Sequence, residues 1–222
     1  SNYPPVVFKN ANNANAGIEI ELANELSKST GISIKFVELE WNRLIPSLLN
    51  KEIDVIMAGM SITDERKQLI DFTEPYLQTG QMVLIRSTDR LRFRTVDGIY
   101  KPKTRIGYEK DTTGEQFVKL NLKDSASVGY KSAQEGITDL MIGNIDYFIH
   151  DGPTIWKYTL HLSNTKLKGL YTPLTEEYLA WGVRKGDSEL LEFLNSNIKK
   201  LKRDGKIDKI KYKWLPKIIK AE

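Results

Sequence analysis

The chain has 222 residues, 40% hydrophobic and 28% charged, with four Trp, ten Tyr and seven Phe. This composition belongs to a folded globular chain of one large domain or two lobes and excludes a disordered one. The absence of cysteine excludes disulfides, a cysteine nucleophile and cysteine-rich zinc sites, and two histidines argue against a catalytic metal. The net charge of +4 owes much to the lysines from Lys199 to Lys220. Leu201, Ile207, Ile210 and Trp214 interleave them at helical spacing, which reads as a solvated helix face and not as a nucleic-acid surface. No apolar run reaches membrane-spanning length, and the abrupt start at Ser1-Asn2-Tyr3-Pro4-Pro5 reads as a trimmed chain with its signal peptide removed.

In chain order, residues 3–8 read as an extended entry and 10–15 as a polar loop. Ile18, Leu22 and Leu26 recur at helical spacing, with Gly31 placed to end that helix. Residues 32–36 alternate as a half-buried strand does. Trp41 falls in a loop before a short helix carrying Leu44, Ile45, Leu48 and Leu49. Residues 53–57 form the next strand, so the series implies a parallel sheet covered by helices. Residues 80–86 read as a strand and 87–94 as a linker. A second series begins at 105–108. Thr112 with Glu115, and Ser132 with Glu135, have capping-box spacing before two helices. Strands are expected over 126–130 and 145–151, with Pro153 in the first turn of the helix that follows. After a strand over 178–184, Asp187 caps a helix striped by Leu190, Leu191, Leu194, Ile198 and Leu201, which Gly205 ends. A last helix, from 207 to 215, ends at Pro216.

The chemistry concentrates in residues 56–66. An apolar strand enters the turn Gly59-Met60-Ser61, and Thr63 caps a helix whose first turn holds Asp64, Glu65 and Arg66. A cation at the positive end of a helix loses a few tenths of a kcal/mol or more. Two readings compensate it: an anion held between the guanidinium and the free N–H groups of that turn, or a surface ion pair with Asp64, Glu65 or Asp71.

These segments, in this order and spacing, resemble the family 3 extracellular solute-binding proteins, the polar amino-acid receptors of bacterial ABC importers. The features that carry the likeness are Tyr3-Pro4-Pro5, Gly17 with Glu19 and Glu21, Trp41 before Leu44-Ile45-Pro46-Ser47-Leu48, Ile53-Asp54-Val55-Ile56, and Gly59 through Arg66. Asp71-Phe72-Thr73-Glu74-Pro75-Tyr76, Thr112-Thr113, the Asp151 strand and Gly205 to Trp214 complete it. The resemblance implies the two-lobed periplasmic-binding-protein type II fold, each lobe a mixed sheet flanked by helices. Lobe 1 would take 1–87 and 177–222, lobe 2 would take 88–176, and two crossings would form the hinge. It further implies that Arg66 grips the α-carboxylate of a free amino acid and Asp151 its α-ammonium. Backbone groups at Gly59, Met60, Ser61, Thr112 and Thr113 would help hold the ligand, and Tyr3 and Trp41 would flank its side chain. The tryptophan face tilts the expected ligand toward lysine, arginine or histidine, although it packs equally on glutamine. No cofactor or metal is implied. The partner is a membrane ABC permease and not nucleic acid, and the protein is expected as a monomer, periplasmic or extracellular and membrane-anchored. Without the resemblance, Asp151 reads as an N-cap before Gly152-Pro153.

The chain departs from the family's pattern in lacking the strand that usually precedes Tyr3, in having no hydroxyl at Ala58, and in placing His150 beside Asp151. His150 is expected on the opposite sheet face from Asp151. Two other classes stay open: the sensor domain of a membrane receptor, and a dehydratase of small carboxylic acids on the same fold. The latter needs a general acid or base, for which Glu21, His150 and Glu177 are the candidates.

Overall fold

The computed structural model describes residues 3–159 and 166–215. Its elements are β1 (Phe8–Lys9), β2 (Asn15–Ala16), α1 (Ile18–Thr30), α2 (Leu44–Leu49), β3 (Val55–Ser61), α3 (Asp64–Leu69), β4 (Ile70–Phe72), β5 (Leu77–Thr79) and β6 (Gln81–Arg86). They continue as β7 (Arg105–Glu109), α4 (Thr113–Asn121), β8 (Ala126–Tyr130), α5 (Ala133–Ile142), β9 (Tyr147–Asp151), α6 (Gly152–Thr159), β10 (Leu167–Leu170), β11 (Glu177–Arg184), α7 (Ser188–Arg203) and α8 (Lys206–Trp214). The chain divides into two compact units, residues 1–78 with 178–222, and residues 79–177.

Helix boundaries follow local chemistry. The hydroxyls of Thr63, Thr112 and Ser132 and the carboxylate of Asp187 each accept the N–H three residues on, satisfying a donor that the first turn leaves orphaned. Gly31 ends α1 in the left-handed region at φ 76°, where a glycine bears no Cβ penalty. Pro216 lies outside the described residues.

In the first unit β3, β11 and β4 lie side by side with antiparallel pairing throughout. One face of this sheet packs on α1, α7 and α8 through Leu22, Leu26, Trp181, Leu194, Ile198 and Ile210, all buried. The other covers Leu44, Leu48 and Ile70. Each such aliphatic side chain contributes about 1.5–3 kcal/mol on burial. The parallel sheet expected here does not form among the described residues, because 32–36 makes no ladder. Its alternation specified a half-buried face, but a strand also needs a neighbour to pair with. The outer edge of β3 instead borders a cavity of about 900 Å³ lined by residues 32–39 and 53–58 and by Leu190, Phe193 and Leu194.

The second unit holds a mixed five-stranded sheet in the order β10-β6-β9-β7-β8, parallel at β7-β8 and β7-β9 and antiparallel elsewhere. β6, which the sequence reading placed in lobe 1, is an inner strand of this sheet and is buried from Gln81 to Ile85. The first crossing therefore precedes β6, and residues 87–94 do not mark it. Burial on both faces is what a continuous run such as Met82-Val83-Leu84-Ile85 fits.

Candidate functional site

A polar cluster forms in each unit. In the first, β3 runs through the expected Gly59-Met60-Ser61 turn and ends only at Ser61. Between the pairs Met60–Ala180 and Ile56–Gly182 the register shifts, so Met57, Ala58 and Gly59 stand opposite Trp181 alone. This bulge places Gly59 at φ 69°, and a Cβ there would lie 2.6 Å from the Tyr3 ring. Both facts require glycine. Gly59→Ala is expected to cost about 1–2 kcal/mol for the left-handed backbone, and more for displacing Tyr3. The drop in urea midpoint measures it, and an unchanged midpoint would mean that the bulge adapts.

Arg66 lies in the first turn of α3. Its N–H reaches Thr63 Oγ1 at 3.2 Å and its Nη1 donates to the Ser61 carbonyl at 2.9 Å. Its guanidinium carbon stands 5.2 Å from the centre of the Trp41 ring. Asp64 pairs with Lys67 at 3.2 Å, and Asp71 accepts the Gly186 N–H at 2.8 Å. The fork is thus held at a helix start by a carbonyl and a ring face, a pose that suits bidentate capture of a carboxylate. Trp41 was expected to flank a ligand side chain; here one face of it carries Arg66. The Met60 side chain packs in the core at 1% exposure, which leaves its backbone as the group able to serve a ligand. Ser61 is 3% exposed.

In the second unit Asp151 pairs in register with Gln81 across β9-β6, and Gln81 Nε2 donates to the Asp151 carboxylate. The same nitrogen lies 2.9 Å from Thr113 Oγ1 and 3.0 Å from Glu177 Oε1. Thr113 Oγ1 is 2.8 Å from Glu177 Oε2, and Thr175 Oγ1 donates to Glu177 Oε1 at 2.8 Å. Two carboxylates thus share one amide that has two hydrogens to give, an arrangement that favours a cation. Gly114 leaves room for the Gln81 amide: a Cβ there would be 2.8 Å from Gln81 Oε1. The Thr112 hydroxyl caps α4 and donates to the Glu109 carbonyl at 2.7 Å.

His150 does face away from Asp151. It stacks on Phe148 at 5.8 Å and its Nε2 meets Glu109 Oε2 at 2.8 Å, while the Asp151 N–H lies 2.8 Å from Nδ1. Burial opposes the imidazolium, but the Glu109 hydrogen bond and the nearby carboxylates outweigh it and hold His150 above its ordinary pKa. Glu21 binds Lys213 at 2.5 Å and Trp214 at 2.8 Å, tying α1 to the C-terminal helix. Gln81, Thr175 and Glu19 were not expected as site residues: Thr175 was read only as marking a hinge crossing, and Glu19 only among the features that carry the resemblance. The signal for Gln81 was one amide opening an apolar strand; that for Glu19 was an acid on the apolar face of its helix, three residues before Leu22 and seven before Leu26.

Two α/β units, one made of two separate chain segments, together with an arginine fork in one and a carboxylate pair in the other, define a solute-binding protein of the periplasmic type II class. The profile of the bacterial extracellular solute-binding proteins, family 3, matches residues 1–217, and the chain belongs to that family. An ABC transporter arginine-binding protein of Escherichia coli is 31% identical, covering 96% of this chain and 87% of its own. A crystal structure of an ancestral amino acid-binding protein, a precursor of cyclohexadienyl dehydratase, superposes with a TM-score of 0.86 at 31% identity, over 97% of this chain and 92% of that one. An ancestral arginine-binding protein bound to arginine gives 0.86 at 31% identity, over 96% and 94%.

Proposed function

We propose that this protein binds a free amino acid outside the cytoplasm, in the periplasm or anchored to the outer face of the membrane, and delivers it to an ABC permease. The observation that carries this reading is the Arg66 guanidinium held at the start of α3 by Ser61 and Trp41. Arg66 takes the α-carboxylate, with the Gly59, Met60 and Ser61 backbone beside it. Asp151 takes the α-ammonium, with Thr112 and Thr113 at the start of α4, and Tyr3 and Trp41 border the ligand side chain. Since one face of Trp41 is occupied by Arg66, preference for a basic side chain rests on the Asp151–Glu177 pair instead. The family membership supports a binding protein over a dehydratase. A thermal-shift screen of the twenty amino acids tests the reading: a ligand at 100 times its Kd adds about 2.7 kcal/mol, and no shift with any of them would sink it.

A zwitterion that engages both units gains most where both reach it, and its differential affinity then favours a closed state. Saturating ligand is expected to lower the radius of gyration in solution scattering, which requires a preference of about 5.5 kcal/mol to carry the population from mostly open to mostly closed. An unchanged profile, with binding shown separately, would remove closure from the mechanism.

A further inference from the structure

Glu19 is fully buried and takes no part in the ligand contacts proposed above. Three donors from three distant parts of the first unit converge on its carboxylate. The Gly59 N–H reaches Oε1 at 2.9 Å, the Tyr76 hydroxyl reaches Oε1 at 2.7 Å, and the Trp181 indole N–H reaches Oε2 at 2.6 Å. The bulge explains why they need it. Where β3 sets three residues against Trp181, the Gly59 N–H has no place in the ladder to β11, and a buried N–H left unmatched is unfavourable. On its other side Trp181 is tied to Thr73, whose N–H donates to its carbonyl at 2.9 Å and whose hydroxyl accepts its N–H at 3.1 Å. The indole and the Gly59 amide are left to meet on one carboxylate, beneath the glycine against which Tyr3 packs.

We propose that Glu19 is a positioning residue of the amino-acid site, its ionised carboxylate holding the Ala58–Gly59 peptide in the orientation that places Tyr3, Met60 and Ser61 for the ligand. The role rests on the amino-acid reading, in which those groups touch the ligand. It depends on charge, because all three partners donate. Only the Tyr76 hydroxyl is able to turn and accept; an amide on Glu19, with two hydrogens to place, sets one donor against another, and a proton is met only if Tyr76 turns and gives up its own hydrogen bond to Oε1. Tyr76 is the one titratable group among these partners, and its own ionisation is pushed well above the usual tyrosine range, first by burial and then by Glu19. Burial raises the Glu19 pKa to about 7, against the pull of its three hydrogen bonds, so the carboxylate titrates near neutrality. The folded free protein holds that proton until about pH 7. A ligand that needs the ionised form must displace it, so affinity falls as pH drops through that window.

Two measurements test this. In the ligand-free protein, the amide signal of Gly59 and the indole signal of Trp181 should titrate together near neutrality. Tyr76→Phe, which removes one stabilising donor, should move their inflection upward, and Glu19→Gln should abolish it. The absence of a shared inflection in the parent would overturn the link. With ligand, calorimetry using glutamine or arginine, neither of which titrates there, should show Glu19→Gln binding at least about tenfold more weakly at roughly pH 8 and with a flatter pH profile than the parent. Tyr76→Phe, which keeps the carboxylate, should retain the profile displaced to higher pH. A folded Glu19→Gln protein with parental affinity and a parental profile would overturn the positioning role. A parent that binds no amino acid would defeat the functional reading and the ligand role with it, while the Gly59 titration would still decide whether the carboxylate holds the peptide.

Discussion

Replacing Arg66 by alanine is expected to abolish measurable amino-acid binding while leaving a cooperative melting transition. Truncation removes a charged fork from a site whose ligand carboxylate is then desolvated without a partner, a loss of about 2–5 kcal/mol, or roughly 30- to 5,000-fold in affinity. The effect on folding is smaller. Among its described interactions, the side chain gives up the hydrogen bond to the Ser61 carbonyl and the contact with the Trp41 ring, each worth about 1 kcal/mol. The cap survives, because it is the Arg66 backbone N–H that meets Thr63. Arg66→Lys should fall between parent and alanine, since an ammonium keeps the charge and loses the planar fork. Calorimetry that put the alanine variant within about threefold of the parent would disprove the anchor role.

What could be read from the sequence was local. Thr63, Thr112, Ser132 and Asp187 announce their helices because a cap is decided by residues three apart, and Arg66 stood out because a cation in a first turn is locally unfavourable. The parts that escaped are set by long-range register. Glu19 finds its donors 40, 57 and 162 residues away, yet in sequence it reads as an acid that suits a helix N-terminus. Gln81 meets Thr113, Asp151 and Glu177 only because β6 lies between β9 and β10, whereas the sequence reading had left β6 in the other lobe. The strand expected over 32–36 failed for a related reason: alternation encodes which face is buried, but whether a ladder forms depends on what lies alongside.

Asp151→Asn should separate the ammonium-binding role from a structural one. Asparagine keeps the shape of the side chain and an oxygen that can accept from Gln81 Nε2. What it loses is the negative charge. An α-amino acid should then bind about 2–5 kcal/mol more weakly, while the matching carboxylic acid without the amine should change by no more than about 0.5 kcal/mol. The difference between the two losses is the coupling between Asp151 and the ammonium. Stability supplies a second criterion. Asparagine still accepts from the Gln81 nitrogen that Asp151 and Glu177 share, so the melting temperature of the ligand-free variant reports what the lost charge contributes to the fold. If Asp151 acted instead as the cap of α6, asparagine would cap almost as well, whereas Asp151→Ala would cost about 1 kcal/mol of stability and weaken both ligands alike. Equal losses for the two ligands, with a stability cost that alanine shows and asparagine does not, would therefore assign Asp151 to the helix and leave the ammonium to Glu177.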